Sequence, residues 1–272
     1  MLDRRTFVLG TALAATAITT TAITTAHAAP RSGRTAGAAT AAGTTVTLAR
    51  LDDRWVLVDE TGSVRITTGL ENANVVGLAD DGADLIAAGS LADDPVAALW
   101  TSSDGVAWRE VRRLHGTRAE FTAVTGGLAL GSVLRGERAA LARVAARRTA
   151  TGWTTVPVRG LEGTDGLFAS ALSATPDGWV CAAVGANGSR LHASRDGVTW
   201  SELPGVAGVA VRALTSDARG TRWHGNGIAG SAPLTGPLGG PAGPAPVPAG
   251  AQALGTASGR AAWLSAGRLL TT

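Results

Sequence analysis

Short stretches of alternating apolar and polar residues, separated by Asp and Gly, occupy the chain from residue 46 onward. VVGLADDGADLIAAGS at 75–90 and ALSATPDGWVCAAVG at 171–185 each contain one such stretch, a polar turn and a second run of small residues that ends at Gly. Residues 121–133 and 211–227 follow the same pattern. Alternation of this length between turn residues predicts half-buried β-strands, and no sustained helical periodicity competes with it. The pattern therefore predicts an all-β chain.

The strand pattern recurs as a repeat, which indicates the architecture. Asp104 and Asp196 lie about two repeat lengths apart, and the segment that ends at Trp153 provides a degenerate copy between them. Four strands in a unit of about 45 residues are typical of a β-propeller blade. We therefore predict a β-propeller of four-stranded blades, with six blades favoured and five or seven left open. The predicted units start near residues 46, 74, 121, 170, 211 and 251.

The end units and one proline-rich segment modify this picture. The first and last units are short and resemble each other, which predicts that strands from the two termini pair to close the ring. Residues 231–250 hold six of the eleven prolines. Because proline cannot donate a ladder hydrogen bond, this segment predicts an irregular outer edge or a long loop in the fifth blade.

Two copies of S-x-D-G-x-x-W, SSDGVAW at 102–108 and SRDGVTW at 194–200, mark turns of the repeat. In such a turn the Asp carboxylate accepts hydrogen bonds from backbone N–H groups, Gly supplies a positive φ, and the Trp ring is buried. The motif resembles the Asp-box (BNR) repeat of sialidase-like propellers, although each copy is one residue shorter. The resemblance implies a structural role, on the face opposite the ligand site, for Ser102, Asp104, Gly105, Trp108, Ser194, Asp196, Gly197 and Trp200.

The N-terminus has the three parts of an export signal: a charged start, an apolar Ala/Thr stretch and an A-x-A end. The pair Arg4–Arg5 resembles the twin-arginine motif, and Ala26 and Ala28 are the small residues that a signal peptidase reads. Residues 1–28 are therefore predicted to be a twin-arginine signal peptide. The prediction implies a bacterial protein, secreted through the twin-arginine export machinery, with no stable membrane span after cleavage. An ordinary secretory signal or an uncleaved anchor is the alternative.

Domain boundaries follow from these segments. Residues 29–45 lack periodicity and large apolar side chains, so we predict a flexible linker there. The predicted propeller domain covers residues 46–272.

Composition and residue types exclude several classes of function. All 24 basic residues are arginines scattered among 21 acids, without the basic stripe of a nucleic-acid-binding protein. Cys181 is the single cysteine, so no intrachain disulfide is possible. The histidines lack metal-ligand spacing, and no cofactor motif occurs, so we predict neither metal nor cofactor. A sialidase mechanism needs a tyrosine nucleophile, and the chain contains no tyrosine.

Two functions remain. The favoured one is a secreted, monomeric, non-catalytic module that binds a glycan, a peptide or a cell-envelope partner. The alternative is a divergent glycoside hydrolase or lyase that uses two carboxylates. In a propeller, loops between blades, and loops between second and third strands, lie opposite the S-x-D-G-x-x-W turns. Polar loops are usually only solvated, but an anionic or polyhydroxylated ligand would suit their charged residues. The candidate binding residues are Arg118, Glu120, Arg135, Arg159, Glu162 and Asp165.

Overall fold

The computed structural model describes residues 35–94, 96–116, 118–134, 142–161 and 168–272. The strands, in chain order, are β1 (Thr35–Ala41), β2 (Thr44–Leu51), β3 (Arg54–Asp59), β4 (Val64–Ile66), β5 (Ala73–Asp80), β6 (Leu85–Leu91), β7 (Ala97–Ser102), β8 (Arg109–Leu114), β9 (Arg118–Thr125), β10 (Leu128–Leu134), β11 (Ala142–Thr149), β12 (Gly152–Pro157), β13 (Phe168–Thr175), β14 (Gly178–Gly185), β15 (Gly188–Ser194), β16 (Ser201–Ala207), β17 (Val209–Asp217), β18 (Gly220–Gly227), β19 (Pro233–Pro237), β20 (Gly243–Pro244), β21 (Gln252–Ala257), β22 (Arg260–Ser265) and β23 (Arg268–Thr271).

These strands form six antiparallel sheets in which neighbours in sequence are neighbours in space. Five sheets have four strands, and the sheet of β21, β22 and β23 has three within the described residues. The first strands of successive sheets contact one another in a closed ring, from β1 through β5, β9, β13 and β17 to β21 and back to β1. The all-β, six-bladed propeller predicted from the repeat is confirmed. No helix in the described part of the chain is long and apolar enough to cross a membrane.

The start of the propeller differs from the prediction. Strand β1 lies inside the segment 29–45 and pairs with β2 as the innermost strand of blade one. The predicted linker is therefore wrong for residues 35–45. Its small side chains hid the strand from a search for large apolar residues. Ala36, Ala38 and Ala39 are completely buried, because first strands crowd around the axis where little space remains. The predicted signal residues Arg4, Arg5, Ala26 and Ala28 lie outside the described residues.

The hydrophobic core lies between adjacent blades. Ile86 and Leu99 of blade two, for example, pack with Phe121 of blade three in one buried cluster. In blade five the outer strand β20 contains two residues and pairs with β19, as the prolines of this segment predict. Within the described residues the ring closes by contacts of β21 with β1 and of β23 with β2, without a hydrogen-bonded strand pair between the two ends.

The S-x-D-G-x-x-W segments join the third and fourth strands of blades two and four. Asp104 Oδ1 accepts the N–H groups of Val106 (2.8 Å) and Ala107 (2.9 Å), and Ser102 Oγ donates to it at 2.9 Å. Gly105 adopts φ +74°, which closes the turn. The turn in blade four repeats these contacts around Asp196. The serine hydroxyl and the aspartate Oδ1 of both turns are therefore bonded within the turns themselves.

Each of these turns also fastens its blade to the preceding one. Thr68 N donates to Val106 O (2.8 Å), and Trp108 N donates to Thr68 O (2.9 Å). Arg159 makes the same pair of bonds with Val198 and Trp200, both at 2.9 Å. The end of the outer strand in blades one and three is therefore paired with the turn of blades two and four.

Asp196→Ala is expected to lower the Tm by several degrees at neutral pH, because two N–H groups of the turn lose their acceptor. Bonds from the backbone of Thr199 and Val198 lower the pKa of Asp196 from 3.8 to about 2. A carboxyl group whose pKa is lowered in the folded state stabilises the protein above its ordinary pKa, and this contribution is lost as the pH falls through the lowered value. Thermal melts should therefore show a Tm difference from wild type that shrinks towards pH 2.

Asp196→Asn is the matched control for this prediction, because it retains one oxygen acceptor and should lose less stability. A Tm difference for Asp196→Ala that stays constant down to about pH 2 would contradict the assigned role of the carboxylate.

Candidate functional site

All six first strands contain a β-bulge at the same level of the propeller. In β17, for example, Val211 pairs with Gly225 and Ala213 pairs with His224, so Arg212 has no residue opposite it. In β1 the two residues Gly37 and Ala38 lie opposite a single residue of β2, Thr47. Bulges redirect side chains and increase local twist. The residues at the six bulges are Gly37, Val76, Thr122, Ser170, Arg212 and Leu254.

The six bulge residues line one cavity in the centre of the propeller. Its volume is about 240 Å³, and it is bordered by residues from all six first strands. Its polar side chains include the hydroxyl of Thr122 and that of Ser170, which donates to Val211 O at 2.7 Å. The two charged residues of the described lining are Arg212 and Asp80. The ring of six bulge residues therefore has one cation, two hydroxyl groups and otherwise apolar or backbone surface.

Arg212 is the unusual member of this ring. It retains solvent-accessible surface because it borders the cavity, yet the surrounding chain lowers the pKa of its guanidinium by desolvation. Asp80 lies at the end of β5, four residues beyond the bulge of that strand, or about 13 Å farther along it. Its Oδ2 accepts Thr40 N of blade one at 2.9 Å. Among the described residues Arg212 has no carboxylate partner.

The predicted binding residues lie in different parts of the molecule. Arg118 and Glu120 are in the first half of β9, where Asn74 Nδ2 donates to Glu120 Oε1 at 3.4 Å between blades two and three. Arg159 instead pairs through its backbone with the turn of blade four, and it is not part of the described lining of the central cavity. The structure therefore does not place Arg159 in a shared opening with Arg118. The remaining three lie outside the described residues: Arg135, Glu162 and Asp165.

A wider groove of about 810 Å³ lies between blades four and five, beside the turn of Asp196. At the equivalent place between blades two and three, Arg148 forms an ion pair with Asp81. Leu238 takes the position of Arg148 in blade five: its N–H donates to Thr221 O, as Arg148 N donates to Gly127 O. The groove therefore lies where blades four and five lack the ion-paired arginine that occupies the equivalent place between blades two and three.

The histidines that the structure describes in the blade interfaces belong to the core. His224 Nε2 and Nδ1 contact the hydroxyls of Thr215 (2.9 Å) and Thr235 (3.1 Å), and burial lowers the pKa of His224 to about 4. Burial also lowers the pKa of His192, whose ring nitrogens have no hydrogen-bond partner within the described residues. No cluster of His, Cys, Asp or Glu suited to a metal ion occurs in this part of the chain.

Arg212 was missed by the sequence analysis. Its segment, VRALT, was recognised as a strand, but alternation alone places every second residue on each face. A bulge shifts that alternation by one residue, and only the pairing with β18 reveals it. A usable signal was present: an arginine occurs within a predicted inner strand, whereas the corresponding bulge residues in the other blades are uncharged.

Comparisons with known proteins agree with the fold. No family model and no curated protein matches the chain. Among solved structures, the chain is similar to a protein provisionally described as a gluconolactonase, with a TM-score of 0.55, 12% identity, and coverage of 89% of this chain and 92% of that chain. It is also similar to a protein provisionally described as TolB from Agrobacterium tumefaciens, with a TM-score of 0.51, 9% identity, and coverage of 77% and 79%. The shared property is the propeller fold. None of these comparisons supports membership of the Asp-box family that the two turns resemble.

Proposed function

We propose that the protein is a secreted, non-catalytic binding module whose ligand enters the central cavity. The observation that carries the proposal is the convergence of six bulges on one cavity of about 240 Å³. This volume is below the range of about 300–1,000 Å³ typical of drug-sized ligands, so the cavity suits one small group, such as a single sugar unit or one peptide side chain. A glycan or a peptide of a cell-envelope partner could present such a group.

The lining favours binding over hydrolysis. Glycoside hydrolases of the common types use two carboxyl groups about 5–10 Å apart. In the described lining the cavity has one carboxylate, Asp80, and its Oδ2 already accepts Thr40 N. The carboxylate-dependent hydrolase therefore has no supporting pair of acids among the described residues, and the binding role is the better supported proposal.

Secretion forms part of this proposal and rests on residues 1–28 alone. The twin-arginine pair and the A-x-A end support export, and a monomeric exported propeller would meet glycans or envelope proteins outside the cytoplasm.

Obstruction of the cavity tests the binding role. Thr122 lines the cavity at its bulge, so Thr122→Trp should fill much of the space and abolish most ligand binding on a glycan array. Thr151, exposed in the turn between β11 and β12, provides the control Thr151→Trp. A melting temperature close to that of wild type shows that both variants fold. Equal array binding by the two folded variants would contradict binding in the cavity, and absence of binding by the wild type would contradict a glycan as the ligand.

A further inference from the structure

The bulge residue of blade five, Arg212, differs in charge from the bulge residues of the other five blades. The propeller repeats the same bulge in every blade, so the equivalent positions can be compared directly. Blade two has Val76, blade three Thr122, blade four Ser170 and blade six Leu254. Blade five alone of these has an ionised side chain, Arg212. The fold itself therefore accepts uncharged residues at this position and does not require an arginine.

Arg212 is exposed to the cavity and forms no ion pair within the described residues. The surrounding chain removes part of the hydration of the Arg212 guanidinium. The carboxylate in the described lining, Asp80, lies about 13 Å farther along its strand from the level of the bulges and accepts Thr40 N instead. An exposed charge without an ion-pair partner contributes little to the stability of the folded state. The cavity is open to solvent at Arg212, so the missing counter-charge can come from a ligand.

We propose that Arg212 binds the carboxylate of a small hydroxylated acid, a sugar acid, within the central cavity. This inference deepens the proposed function and rests on it. The guanidinium presents paired N–H donors that match the two oxygens of a carboxylate. The hydroxyls of Thr122 and Ser170 lie in the same ring. That of Thr122 can donate to or accept from a sugar hydroxyl, and that of Ser170, whose proton goes to Val211 O, can accept from one. The small volume of the cavity suits a single sugar ring with its carboxylate.

The experiment compares D-glucuronate with D-glucose by isothermal titration calorimetry on the full chain. The two probes differ in the group at C6, a carboxylate in one and a hydroxymethyl in the other. Wild-type protein is expected to bind glucuronate and to bind glucose much more weakly. Arg212→Thr, which installs the residue of blade three, should weaken glucuronate binding about 10- to 100-fold, the loss expected for hydrogen bonds to a charged group.

A stability measurement separates a ligand-binding arginine from a structural one. Without ligand, Arg212→Thr should melt at the same temperature as wild type or higher, because no ion pair is lost with the arginine. Arg219→Thr is the matched control: it makes the same change at an exposed turn between β17 and β18 and should leave glucuronate binding unchanged.

Four results would overturn this inference: no glucuronate binding by the wild type, equal binding of glucose, retained glucuronate binding in Arg212→Thr, or a lowered Tm of this variant. The proposed function can fail separately. If a neutral glycan binds, is blocked by Thr122→Trp and is unaffected by Arg212→Thr, the cavity is a binding site and the sugar-acid inference is wrong. If Thr122→Trp has no effect on any ligand, the cavity itself is not the site.

Discussion

Gly160→Ala is expected to destabilise the protein by about 4 kcal/mol or more, which is large for a single methyl group. A Cβ atom at Gly160 would lie 1.8 Å from Trp200 O, far inside contact distance, and the residue has φ +82°. The opposing atom is the backbone carbonyl oxygen of Trp200, the residue whose N–H donates to Arg159 O in the bond pair that fastens blade three to the turn of blade four. Since neither chain can move without breaking this pair, the turn must separate from the preceding blade.

Gly69, the equivalent residue where blade one is bonded to the turn of blade two, should be equally sensitive to substitution by alanine. At Gly69 a Cβ atom would lie 2.0 Å from Trp108 O, with φ +84°. Gly250→Ala is the matched control, because Gly250 has φ +80° and nothing within 4 Å of the added methyl group. Its free energy of unfolding should therefore fall only by the cost of placing alanine in a left-handed backbone conformation, about 1–2 kcal/mol. Urea unfolding of the three variants measures the difference. Similar losses of unfolding free energy for Gly160→Ala and Gly250→Ala would show that the contact between Gly160 and Trp200 is looser than the structure indicates.

Trp200→Ala is expected to lower the free energy of unfolding by about 3–5 kcal/mol, because it leaves a large cavity in a buried cluster. Trp200 is 3% exposed and packs with Leu172 and Cys181 between blades three and four. Chemical denaturation followed by far-UV circular dichroism measures the loss. A loss below about 1 kcal/mol would mean that the ring contributes little to the blade interface.

Phenylalanine variants separate packing from hydrogen bonding in the two turns. Trp108 Nε1 donates to Gly105 O at 3.0 Å. Trp200 Nε1 is buried and has no acceptor among the described residues. Trp108→Phe therefore removes a hydrogen bond and leaves a carbonyl unsatisfied, whereas Trp200→Phe removes an unsatisfied donor. We expect Trp108→Phe to be the more destabilising of the two by about 1 kcal/mol. The opposite order would contradict the assigned bonding of the indole groups.

The candidate site was less predictable than the fold. Glu120 was selected as a charged residue of a loop, and it lies in β9 beside Asn74 at the interface of two blades. Arg159 was selected for the same reason, and its backbone is bound to the turn of blade four. For Arg159 the difference arises because a blade twists from its inner to its outer strand. Twist carries the end of an outer strand towards the next blade, and the amount of twist is not encoded in a local pattern of polar residues.

The sequence by itself determined the local and repeated features of this protein. Alternation and Asp/Gly turns specify strands and hairpins through neighbouring residues, so the all-β class, the six units and the turns around Asp104 and Asp196 could be predicted. Only the tertiary structure decided which small-residue segment forms the innermost strand β1, and which residue of each first strand enters the cavity. Both depend on contacts between segments far apart in sequence. A one-residue bulge such as that at Arg212 reverses the facing of a side chain, and it is specified by pairing with the neighbouring strand rather than by periodicity.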